Sequence, residues 1–280
     1  MAGVIFERQV SYEFNTETLD DNTRVSSDGG RLDINLNDPI RIPAGAVNIS
    51  LEVDNATLWN TSPNISVAFA NNEFDYSLGG VAQPVVVIPN GLYSLDSLNA
   101  FLANEFVNRG EPANQIVLSG DTATQKVIIT FLANVQCVFG ATGSVRTVLG
   151  FDASTYPSPI SAINGFNVIG QNVAAFNRVN SFTIRSNIIT HGIPINNSGL
   201  NVMASIPINA SPGSQIIYAP QNPTKVDAND LRGKSIQSFW IILGDQNGTQ
   251  INTLSDTWSA LFTFKYSILL STESVPMIDL

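Results

Sequence analysis

Few residues in this 280-residue chain are equipped for covalent chemistry. There is one histidine, His191, in Thr190-His191-Gly192-Ile193-Pro194, and one cysteine, Cys137, in Val135-Gln136-Cys137-Val138-Phe139. A Ser-His-Asp or Cys-His mechanism needs an imidazole base, so any such chemistry would run through His191. Cys137 lies in an apolar, strand-like run, where a thiol is ordinarily a small buried hydrophobe. Zinc needs several His or Cys ligands, and two such residues are too few without carboxylates that no spacing supplies. Asp20-Asp21 with Asp28, and Asp227-Ala228-Asn229-Asp230, offer oxygens of the kind calcium takes. Neither follows the EF-hand pattern, and turns are the ordinary home of Asp and Asn. A glycosidase pair of acids could come from residues distant in sequence, but nothing marks one. Gly140-Ala141-Thr142-Gly143-Ser144 lacks the Walker lysine, with Arg146 out of place, so a turn and helix cap is the better reading. The expectation is no catalytic, cofactor-binding or metal site, and a protein that is not an enzyme.

The elements that would have to position such residues read as strands. Short alternating or apolar runs are bounded by Gly, Pro, Asn and Asp throughout. Leu32, Ile34 and Leu36 share one face of a strand, as do Val47, Ile49, Leu51 and Val53 of the next. Further strands are expected over Ile65 to Phe69, Val85 to Ile88, Ile116 to Leu118, Lys126 to Phe131, Ser181 to Arg185, Leu200 to Ile206, Ser214 to Tyr218, Ile236 to Leu243 and Ala260 to Ile268. In the last, Phe262, Phe264 and Tyr266 make one face aromatic. Gly244-Asp245-Gln246-Asn247-Gly248 has hairpin chemistry, because Asn-Gly tolerates positive φ. Ser94 can cap a helix to about Asn108 with Leu95, Leu98, Leu102 and Phe106 on one face. Ser144 can cap a short helix that ends at Gly150, and Asp227 to Leu231 fits one more turn. Both clear helices fall between about residues 84 and 152. The economical organisation is therefore a β-sandwich over residues 1–83 and 165–280, interrupted by an α+β insertion over 84–164, with Pro157-Ser158-Pro159 as a linker near its end. Two tandem domains are the competing account.

Composition narrows the class. Hydrophobic residues make up 44% and charged residues only 13%, about half the usual ~25%. A chain this apolar folds, yet it has no run of ~18 apolar residues able to span a bilayer. Scarcity of charge suits a subunit covered in an assembly, since interface centres are charge-depleted. Net charge is −10, with 13 basic residues scattered among 23 acidic ones. No basic cluster is available to displace counterions from a phosphate backbone, so direct nucleic-acid binding is not expected. One cysteine rules out an intrachain disulfide, and Met1 to Arg8 lacks the pattern of a secretory signal. The sequons at Asn48, Asn55, Asn60, Asn64, Asn196, Asn209 and Asn247 then read as chance products of an Asn-, Ser- and Thr-rich chain. Trp240 and Trp258 sit in or beside apolar runs and are expected in the core. Trp59, in a polar loop, is the tryptophan left to line a sugar-binding face.

Three stretches, in order, carry a resemblance. Ile88-Pro89-Asn90-Gly91-Leu92-Tyr93-Ser94-Leu95-Asp96-Ser97-Leu98-Asn99 comes first, and Thr147-Val148-Leu149-Gly150-Phe151-Asp152-Ala153-Ser154-Thr155-Tyr156-Pro157 follows. The third runs from Ser181-Phe182-Thr183-Ile184-Arg185 through Ile206-Pro207-Ile208-Asn209-Ala210-Ser211-Pro212-Gly213-Ser214 to Asp245-Gln246-Asn247-Gly248. Together, over about residues 85 to 268, they resemble the minor capsid, penton-type proteins of virophages, polinton-like viruses and related tailless double-stranded DNA viruses. Ser154 departs from the family's usual glycine. The resemblance implies an all-β single jelly-roll β-sandwich with a small α+β insertion. It also implies a structural virion protein, a homopentamer at icosahedral vertices, contacting the major capsid protein and in some cases a spike protein. Met1 to Phe14, with Val4, Phe6, Val10, Tyr12 and Phe14 on one parity, would then either tie the subunit to its neighbours or form the first strand of the sandwich. Two other classes remain open at this point. A receptor- or glycan-binding head or base of a viral spike would show aromatic residues near Trp59, and a glycan hydrolase would need a carboxylate pair in a cleft.

Overall fold

The computed structural model describes residues 4–17, 23–195 and 198–270. The chain divides into two compact units, Met1–Ser62 with Val179–Leu280, and Pro63–Arg178.

The first unit is built from β1 (Val4–Asn15), β2 (Thr23–Val25), β3 (Arg31–Arg41), β4 (Ala46–Trp59), β5 (Ser181–Ser186), β6 (Ile193–Ile195), β7 (Ser198–Pro207), β8 (Gln215–Tyr218), β9 (Val226–Asp227), β10 (Ser235–Asp245) and β11 (Ser259–Leu270). All their pairings are antiparallel. One sheet runs β1-β11-β4-β8, with β9 also on β4, and the other runs β6-β7-β5-β10-β3-β2. Set aside the short β2, β6 and β9, and number the remaining strands in chain order. The first sheet is then first-eighth-third-sixth, and the second fifth-fourth-seventh-second. That interleaving is the jelly roll. Alternation explains why these segments face one another. Leu32 and Ile34 of β3, Ile241 and Leu243 of β10, and Phe262 and Phe264 of β11 all turn into one buried cluster.

The alternation breaks at two places in β4, near Asp54–Asn55 and near Asn48, and the second moves a predicted core residue. Ala46, not Val47, is buried there, and Asn48 has φ of 54°. The register against β11 slips between Lys265 and Ser267 at the same point. A bulge adds a residue on one strand and reverses the faces beyond it, which moves Val47 out of the core face. The Asp245–Gly248 turn forms, with Gly248 N–H donating to Asp245 O at 3.0 Å. Gly248 alone takes positive φ, 82°, while the Asp245 side chain accepts from Asn247 and Thr249 N–H at 2.8 Å each.

The second unit has its own core. Helix α1 (Leu95–Asn108) buries Leu98, Leu102 and Phe106, and Ser94 caps it with Ser97 in a reciprocal capping box. It packs on the strand Ile116–Asp121, which pairs with Lys126–Phe131 and through it with Phe166–Ile169. A second sheet joins Thr155–Tyr156, Val135–Val138, Tyr76–Leu78 and Val81–Ala82. The short helix α2 (Arg146–Leu149) ends at Gly150, with φ of 79°, but its N-cap is Val145. Ser144 Oγ accepts only a 3.3 Å bond from Arg146 N–H. Ile65 to Phe69 is not a strand. Ile65 makes an isolated bridge to Gly91, and Val67–Phe69 is a 3₁₀ turn capped by Ser66.

The unit boundaries fall at 62/63 and 178/179 rather than 83/84 and 164/165. Ile65, Phe74 and Tyr76 belong to the second core, with Phe176 packed against it. Pro157-Ser158-Pro159 is therefore internal to this unit and not a linker. Buried Asn64 ties both of its ends, donating to Tyr93 O at 2.7 Å and Phe176 O at 2.9 Å while accepting from Tyr93 N–H at 2.8 Å.

Candidate functional site

Cys137 and His191 belong to different units. Cys137 is fully buried in the second unit, and burial pushes its thiol well above the ordinary range. It is expected to stay unreacted with a thiol reagent in native buffer and to react fully once urea unfolds the chain. Fast native labelling would show that the second core is open.

His191 lies at the surface of the first unit, 3.5 Å from Asp230 Oδ2 through Nδ1. The Thr190 hydroxyl donates to Asp230 and lies 2.9 Å from the same Nδ1. In a catalytic triad the hydroxyl and the carboxylate occupy opposite ring nitrogens. Here they share one, so the ring cannot take a proton from the hydroxyl while the carboxylate steadies its far side. The Thr190 hydrogen bond holds Asp230 below the usual carboxylate range.

The acidic stretches serve as turn staples. Desolvation works against ionisation of Asp28, but bonds from Ser26 Oγ, Gly30 N–H and the Gln250 amide outweigh it and leave its pKa lowered. The stabilisation is thus complete above the ordinary carboxylate pKa and lost as pH falls through the lowered value. Asp227 accepts from Asn229 N–H at 2.9 Å. Asp20 and Asp21 lie outside the described residues. Among the described residues no group of three or more His, Cys, Asp or Glu is placed to hold a metal ion, and no helix is long and apolar enough to cross a membrane. The Gly140–Ser144 loop lies against a carboxylate, since a Cβ on Gly143 would come within 2.8 Å of Glu73 Oε2. That neighbour repels a phosphate.

Of the tryptophans, Trp258 is buried and donates its indole N–H to Gly29 O at 2.8 Å. Trp59 is not in a loop but ends β4, 37% exposed. Trp240 is not in the core: Phe239 and Ile241 on either side point inward, which turns it to the outer face of its sheet, half-buried.

An uncovered apolar surface lies on β1. This strand ends its sheet, pairing with β11 over its whole length from Val4↔Leu270 to Asn15↔Ser259. Its inward parity passes progressively into the sandwich. Phe6 is 50% exposed, Val10 38%, Tyr12 half-buried and Phe14 only 8% exposed. Phe14 packs edge-on against Phe262 of its own sheet and Phe239 of the other, at 5.6 and 5.3 Å between centroids. Among the described residues Phe6 and Val10 have no such aromatic cover, and Ile5 on the opposite face is 62% exposed. Beside the inner end of β1, a groove of 480 Å³ runs toward β3, floored by Tyr12, Phe14, Leu32, Ile34 and Leu36. A free edge combined with uncovered apolar side chains is a template for another chain. Parity in the sequence marks Phe6 and Val10 as one face. It could not mark Ile5, which is off that parity, nor show that Phe6 and Val10 are left exposed. Met1 to Gly3 and the Val4 side chain lie outside what is described.

These features define the class: a jelly-roll β-sandwich with a separate α+β unit carried between its third and fourth principal strands. No protein-family model matches the chain, and no curated protein matches it. Among solved structures, the crystal structure of the mavirus penton protein is similar at a TM-score of 0.44 and 12% sequence identity, covering 92% of this chain and 99% of that one. The fold assignment rests on the strand order given above.

Proposed function

We propose that the chain is a non-enzymatic structural subunit of a virus capsid, a minor capsid protein of penton type that closes into a ring of like subunits, a pentamer, and meets the major capsid protein in the virion. The observation that carries this reading is the uncovered apolar half of β1 on a free sheet edge. Ring closure requires a heterologous contact, in which two different patches of one chain meet. A strand edge on one subunit seated along a neighbour supplies such an asymmetric contact through backbone pairing, with side chains setting the register. The three sequence motifs support the penton assignment, and the low charge supports extensive coverage by neighbours.

Mass photometry and negative-stain imaging of the purified chain test it. Ring oligomers are expected at high concentration or on adding a double-jelly-roll major capsid subunit. Phe6→Asp with Val10→Asp should abolish them while leaving the melting temperature nearly unchanged, because neither side chain is buried. A wild-type chain that stays monomeric and ignores the major capsid subunit defeats the proposal.

A further inference from the structure

Four strands of the second sheet place a row of polar and aromatic groups across its outer face. Arg24 on β2 lies opposite Asp33 on β3, and Asp33 lies opposite Trp240 on β10. Asn187 follows Ser186 of β5, which is opposite Ile241, and its Oδ1 accepts the Trp240 backbone N–H at 2.9 Å. Directly opposed residues of antiparallel strands share a face. Asn35 and Ser238 form the adjacent row, and together these side chains line an open groove of 510 Å³.

The indole is braced before any ligand arrives. The Arg31 guanidinium sits 5.6 Å from its ring centroid and is itself held by Asp33, with Nε 3.0 Å and Nη2 2.6 Å from Oδ1. Little side-chain freedom is then lost on binding. Arg24 is exposed and makes no ion pair among the described residues. Among the described residues of this groove, two guanidinium groups therefore stand against a single carboxylate, on a chain of net charge −10.

We propose that this groove binds an acidic sugar, with a pyranose ring lying against Trp240 and its carboxylate on Arg24. A sugar ring has a C–H face suited to an aromatic surface and a hydroxyl edge that both donates and accepts. The amides of Asn35 and Asn187, the Ser238 hydroxyl and the Asp33 carboxylate match that edge. A guanidinium fork matches a carboxylate in two parallel bonds. A purely apolar ligand would leave the polar rim unpaired, which is costly, and a phosphate chain would meet Asp33 in the middle of the row. The site does not depend on how β1 is used, so its failure and that of the assembly reading are separable.

Titration with 3′-sialyllactose, followed by the Trp240 indole N–H resonance, tests the inference. The resonance is assigned by its disappearance in Trp240→Leu, with the Trp59 and Trp258 signals as controls for the fold. A saturable shift is expected, with lactose binding about ten-fold or more weakly, the loss of one charge-assisted contact. Arg24→Gln, at an exposed position, should erase that preference. No saturable shift, equal affinity for lactose, an unchanged Arg24→Gln variant, or equal competition by inorganic phosphate would each overturn it.

Discussion

Replacing Phe139 by alanine is expected to destabilise the second unit by about 3–5 kcal/mol, the range for truncating a buried phenylalanine. Phe139 is fully buried at the centre of an aromatic cluster, 6.0 Å from Phe74, 5.3 Å from Phe151 and 6.2 Å from Tyr156 between ring centroids. Phe74 comes from a segment far from the stretch that holds Phe151 and Tyr156, so no single local shift fills the cavity, and ring contacts are lost with it. Hydrogen exchange read by mass spectrometry checks the expectation. Protection should fall across residues 63–178 while β3, β4, β10 and β11, whose side chains form the other cluster, keep theirs. A cost under about 1 kcal/mol, or equal loss in both units, would contradict two separate cores.

Lys265→Met is expected to cost about 3 kcal/mol at neutral pH, the low end for stranding a buried charge because Lys265 itself is 36% exposed. Its Nζ lies 2.6 Å from Glu52 Oε2, and the Glu52 side chain is only 1% exposed. Glu52 Oε1 is buried with no hydrogen-bond partner among the described residues, so the ammonium is the compensation they offer this carboxylate. The Glu52 bond raises the Lys265 pKa against desolvation. That pair's stabilisation is therefore present below the ordinary lysine pKa and lost as pH rises through the raised value. Glu52→Met combined with Lys265→Met should recover to within about 1 kcal/mol of wild type, since a well-packed apolar pair replaces a buried ion pair at little cost. Urea unfolding at pH 7 measures both effects. A double variant no more stable than Lys265→Met alone would rule out this account.

Much of the fold is legible along the chain wherever burial follows from local alternation. Leu32 and Ile34, the aromatic face of Phe262, Phe264 and Tyr266, and the helix face of Leu98, Leu102 and Phe106 are all buried or nearly so, because a period of two or 3.6 residues sets which side chains share a face. The Ser94 cap is equally local. The Asn48 bulge is not, since its positive φ is held by the register against β11, far away in the chain.

The sequence by itself determined that the chain is β-rich, where most strands and the long helix lie, and that chemistry-bearing residues are scarce. Only the tertiary structure decided the jelly-roll order of the strands, the limits of the second unit at 63 and 178, the outward turn of Trp240 and the bare half of β1. Periodicity tells each side chain which neighbours share its face. Whether that face is covered depends on which distant strand arrives opposite it, and that is settled by long-range pairing energies with no local signature.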